Sequence, residues 1–116
     1  MGVNLLVPRL PVIGEFVAVD LRAARAVILV SVDTLGMPTN FGLAVTPKAD
    51  YDIETVGEGN PRTLGIRLRN LYPGTRYTYR LIALNEDGTS VSAEQALSTE
   101  ARSPLLPTPY VAGGAR

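Results

Sequence analysis

A chain of 116 residues, 46% of them hydrophobic, has enough apolar material for one core. It has no Cys, which excludes both a disulfide framework and a thiolate metal site. Eleven basic residues balance eleven acidic ones, so no net field draws the chain toward nucleic acid or an anionic membrane surface. His is absent too, which removes the commonest general base and the commonest metal ligand.

The first segment, residues 2–14, is apolar and punctuated by Pro8 and Pro11. It has neither a basic leader region nor a small-residue cleavage site, so it does not read as a signal peptide, and synthesis in the cytoplasm is expected. No stretch approaches the length of a membrane span. Proline disfavours helix and removes backbone donors, so an extended arm is expected over residues 1–14. A freely solvated arm would not be this apolar. Leu5, Leu6, Val7 and Leu10 therefore either pack along their own domain or lie on a neighbouring subunit.

Residues 15–21 alternate Phe16 and Ala18 against Val17, Val19 and Leu21, predicting a first strand. The second spans residues 26–32, with Ala26, Ile28, Val30 and Val32 on one face; Val27 and Leu29 on the other suggest that this face is covered as well. Residues 33–38 carry turn chemistry. A third strand over residues 39–46 alternates Phe41, Leu43 and Val45 with smaller residues and ends at Pro47. Residues 50–56 alternate acidic and apolar side chains, as an edge strand does. Residues 63–69 place Leu64, Ile66 and Leu68 inward, with Arg67 and Arg69 outward.

In Leu71-Tyr-Pro-Gly-Thr-Arg-Tyr77, Pro73 pre-sets φ at the second position of a type II turn and Gly74 supplies the positive φ of the third. Tyr77, Tyr79, Leu81 and Ala83 then alternate with Thr78, Arg80, Ile82 and Leu84, predicting a sixth strand. Asn85-Glu-Asp-Gly88 is expected to form a hairpin turn with Asp-Gly at its tip. Residues 89–99 supply a seventh, more polar strand. Seven short strands at near-regular spacing, with no helical periodicity, argue for an antiparallel β-sandwich over residues 15–99. A second proline-rich arm follows over residues 100–116 and keeps Leu105, Leu106, Tyr110 and Val111 apolar.

The run from Leu71 to Tyr77 resembles the entry to strand F of a fibronectin type III domain, where Leu-x-Pro-Gly-Thr-x-Tyr forms a tyrosine corner. The likeness continues through Tyr79-Arg80, Ala83, Asn85, Gly88 and Thr99. Upstream, Ala26-x-Ile28-x-Val30-x-Val32 with Gly36, Thr39 and Phe41 resembles a bacterial and phage-type branch. The resemblance implies an all-β, seven-stranded antiparallel immunoglobulin-like sandwich, with Leu71, Pro73, Gly74 and Tyr77 in a structural rather than a functional role. The Trp that many members place on the second strand is missing, and Val32 stands there. There is no Arg-Gly-Asp tripeptide, so integrin-type adhesion has no support.

Few constellations suggest chemistry. Asp50, Asp52 and Glu54 share one strand face, but alternating acids on an edge deter edge pairing more often than they bind metal. Arg67, Arg69, Arg76 and Arg80 do not define a groove. Nucleophilic catalysis would have only carboxylates or Lys48 for a base, and the glycines are scattered at turns rather than gathered in a phosphate loop. No catalytic, cofactor-binding or metal-binding residue is therefore expected.

The expected function is structural: a bacteriophage virion decoration or cementing protein that docks through its arms onto other virion proteins or copies of itself. The alternative is a glycan- or protein-binding accessory module of a secreted bacterial protein, with Tyr51, Tyr72 and Tyr110 as candidate aromatic contacts. The first places the chain in a virion and the second outside the cell, where a host-surface glycan becomes a possible partner. Neither expectation includes nucleic acid or a membrane.

Overall fold

The computed structural model describes residues 8–57, 59 and 61–101. They form β1 (Val12–Leu21), β2 (Ala26–Asp33), β3 (Asn40–Thr46), β4 (Asp50–Thr55), β5 (Arg62–Arg69), β6 (Arg76–Asn85), β7 (Gly88–Val91) and β8 (Gln95–Ser98). One sheet has the order β1-β2-β5-β4; the other has β3-β6-β7, with β8 also paired to β6. All the pairings are antiparallel. Sheets ordered this way are those of an immunoglobulin-like sandwich. The fold is a fibronectin type III-like β-sandwich, as the sequence motifs imply.

The core forms because the two inner faces alternate in phase. Ile28, Val30, Val32, Leu64, Ile66 and Leu68 come from one sheet, and Leu43, Tyr77, Tyr79, Leu81 and Leu97 from the other, all buried. Each large side chain so buried contributes about 1.5–3 kcal/mol relative to exposure. Phe16 closes one flank, its ring meeting that of Tyr79 edge-on at 5.7 Å. The site of the missing Trp is filled without an aromatic ring, with Val32 fully buried.

Three details differ from expectation. First, β1 begins at Val12 rather than at residue 15, and register shifts between Ile13 and Phe16 and between Ala18 and Asp20 interrupt its alternation. Second, the seventh strand is broken into β7 and β8. Between the pairs Ile82↔Val91 and Tyr79↔Gln95, Arg80 and Leu81 face Ser92, Ala93 and Glu94, one residue more. Ser92 bridges this bulge: its N–H donates to the Leu81 carbonyl at 2.9 Å, and its hydroxyl accepts the Leu81 N–H at 2.9 Å.

Third, the β6–β7 hairpin turns at Glu86-Asp87, between the paired Asn85 and Gly88. The Asn85 carboxamide oxygen accepts the N–H groups of Asp87 and Gly88 at 2.8 and 3.1 Å. That local capping holds the turn one residue earlier, so the positive φ of 146° falls on Gly88, after the tip. The β2–β3 connection holds a further positive-φ pair, Leu35 (56°) and Gly36 (76°), with the Leu35 N–H bonded to the Asp33 carboxylate at 2.8 Å.

The edge strand β4 shows what the acidic row does. Glu54 pairs with Arg67 at 3.1 Å, Asp52 with Arg69 at 3.0 Å, and Asp50 accepts a hydrogen bond from Asn70 at 2.8 Å. The carboxylates are thus matched one by one with cations or an amide beside them, at exposed positions. Glu54→Gln is expected to change stability by no more than about 0.5 kcal/mol in urea denaturation, since exposed pairs are screened. A loss above about 2 kcal/mol would contradict this.

Candidate functional site

The described residues offer three candidate places: the corner that ties the lower end, the N-terminal segment, and a cleft at the upper end. At the lower end the Tyr77 hydroxyl accepts the Tyr72 N–H at 2.8 Å, closing the tyrosine corner. Leu71 is buried, and Gly74 takes the positive φ of 58° that its turn requires. Thr99 completes the lock: its hydroxyl donates to the Tyr72 carbonyl at 2.6 Å and accepts the Thr75 N–H at 2.9 Å. The Leu71 N–H also reaches the Ala24 carbonyl at 2.9 Å, and the Gly74 N–H reaches Glu100 at 2.8 Å. Each of these bonds is internal to the chain and serves the fold, while the Tyr72 side chain beside them is 68% exposed.

The N-terminal segment lies against the opposite end. The Arg9 N–H donates to the Asp87 carboxylate at 2.9 Å, and the Arg9 carbonyl accepts from the Asn85 amide at 2.7 Å. The Pro11 carbonyl accepts from the Ser90 hydroxyl at 2.6 Å. Leu10 sits directly over Gly88, where an added Cβ would meet its Cδ2 at 2.9 Å. Leu10 therefore packs on its own hairpin. Leu5, Leu6, Val7, Leu105, Leu106, Tyr110 and Val111 lie outside the described residues. The described chain enters beside the β6–β7 hairpin and leaves beside Arg22 and Gly74, at opposite ends of the sandwich.

The cleft was not anticipated. It has a volume of about 540 Å³ and is lined by the β2–β3 connection (Met37, Pro38, Thr39), by Asn40 at the start of β3, by Leu84, Asn85 and Glu86, and by Arg62. Arg62 also lines a neighbouring cavity of about 190 Å³ with Thr55, Gly57 and Gly59. Arg62 pairs in register with Val32, whose side chain is fully buried, and precedes Leu64, Ile66 and Leu68 in phase. A cation thus occupies an inward-facing position at the mouth of the core. Its Nε is buried and has no hydrogen-bond partner among the described residues. The signal was present in the sequence, because Arg62 continues the inward period of β5 by one step.

A hydrogen bond from Arg22 to Asp20, at 2.8 Å, raises the guanidinium pKa. Burial raises that of Tyr79, which keeps the phenol neutral. Among the described residues no group of three or more acidic side chains is placed to hold a metal ion. No helix among them is long and apolar enough to cross a membrane.

No family model and no curated protein matches this chain. Among solved structures it is similar to the fibronectin type-III domain of human fibronectin type III domain containing protein 3, with a TM-score of 0.49 and 22% identity over 90% of this chain and 97% of that one.

Proposed function

We propose that the chain is a non-catalytic interaction module that docks onto a larger assembly, and that this assembly is a bacteriophage virion which it decorates or cements. The observation that supports docking is the apolar surface of β1. Val12, Val17 and Val19 are 57%, 55% and 53% exposed on an edge strand, and Val17 lies beside the half-buried Leu29 of β2. Single exposed apolar residues are ordinary, whereas a row of them on one edge marks a contact surface. The described chain enters and leaves at opposite ends of the sandwich, which suits a protein that bridges two neighbours, either other virion proteins or copies of itself. The secreted, glycan-binding alternative has no observation of comparable weight.

Sedimentation of the full chain across a concentration series tests the docking surface. Self-association is expected, and Val17→Asp with Val19→Asp should abolish it while the fold persists. For a partner other than itself, mass spectrometry of purified phage particles should find the chain at a fixed copy number. A strict monomer that is also absent from such particles would sink the proposal.

A further inference from the structure

We propose that the cleft between the β2–β3 connection and the β6–β7 hairpin is a binding site for a compact carboxylate with an apolar body, and that Arg62 is its anchor. A guanidinium directed into the mouth of a hydrophobic core is costly unless something compensates its charge. Among the described residues Arg62 forms no ion pair, and its buried Nε is without a partner. The outward arginines of the same strand, Arg67 and Arg69, are both paired with carboxylates. The contrast lies in position. Arg67 and Arg69 face acids across the sheet, whereas Arg62 lines the cleft, with no acid paired to it among the described residues.

That cleft has the dimensions of a small-molecule site, about 540 Å³. Its walls combine apolar surface from Met37, Pro38 and the exposed Leu84 with the polar ends of Thr39, Asn40 and Asn85. The Asn85 amide is committed to Arg9 and to its own turn, and the Thr39 hydroxyl to the Met37 carbonyl at 2.8 Å. Arg62 is therefore the dominant recognition group. A planar carboxylate matches a guanidinium through two parallel hydrogen bonds, and the apolar wall accepts the rest of the molecule. Glu86, on the rim, opposes extended polyanions and limits the site to ligands with one negative group. The structural alternative is that the Arg62 stem merely covers the end of the core, with its head in water.

The experiment is a titration of the isotopically labelled full chain, followed by amide shifts, with two matched probes: N-acetyl-leucine and N-acetyl-leucinamide. The acid should produce saturable shifts at Met37, Thr39, Asn40, Arg62 and Leu84, and the uncharged amide should bind roughly tenfold or more weakly. Arg62→Gln should remove the difference between the two probes. Glu86→Gln, at a rim position outside the core, should tighten the acid, and added salt should weaken it. Equal binding of acid and amide would overturn the site, as would shifts that never saturate or an acid affinity insensitive to both Glu86→Gln and salt. The last two readouts hold even where Arg62→Gln fails to fold.

Discussion

Tyr77→Ala is expected to destabilise the chain by about 3–5 kcal/mol, the largest effect of any single side chain in this fold. Tyr77 is the largest of the fully buried side chains. Truncation would leave a cavity between the sheets and also strand the Tyr72 N–H, which the phenol oxygen accepts at 2.8 Å. Tyr77→Phe separates the two contributions. It keeps the ring and loses only the hydrogen bond, for an expected cost of about 1–2 kcal/mol. Urea denaturation of both variants is the measurement. If Tyr77→Phe cost as much as Tyr77→Ala, the hydrogen bond would dominate and the packing account would be wrong.

The second large effect lies at the other end of the sandwich, where Asn85→Ala should cost about 2–3 kcal/mol. Asn85 is 7% exposed, and its carboxamide performs two jobs at once. Its oxygen caps the hairpin through the N–H groups of Asp87 and Gly88, and its nitrogen holds the Arg9 carbonyl at 2.7 Å. Alanine would leave those groups without partners and release the N-terminal segment from the hairpin. Hydrogen exchange gives a local readout beside the global one: the amides of Arg9, Asp87 and Gly88 should lose protection together. Faster exchange at Gly88 alone, with Arg9 unaffected, would show that the segment is held by Leu10 and Ser90 instead.

The two effects also explain how the ends of the molecule differ. The lower end is closed by the corner, with the Tyr77 and Thr99 hydroxyls satisfied internally. The upper end is held by a single amide, a strap of residues 9–11 and a short turn, and it is there that the Arg62 cleft opens. The proposed site thus sits among connections rather than within a ladder, where the chain can be shaped without breaking strand pairing.

Much of this was legible in the residues. The period-two runs at Ala26, Ile28, Val30 and Val32, at Leu64, Ile66 and Leu68, and at Tyr77, Tyr79, Leu81 and Ala83 are buried as read. That follows because a strand's alternation is local, set by the backbone pleat, and burial of one face is its direct consequence. The turn at Pro73-Gly74 was legible for the same reason, since proline and glycine dictate φ within their own residues. What only the tertiary structure decided depends on distant pairs. The bulge at Ser92 exists because Leu81 offers both its N–H and its carbonyl there. The hairpin tip moved to Glu86-Asp87 under the capping Asn85, and Leu10 found its place over Gly88, a neighbour remote in the chain. Arg62 carries the same lesson for function. Its inward phase was written in the sequence, but the cleft it faces is made by two other parts of the chain, residues 37–40 and 84–86, which no local pattern brings together.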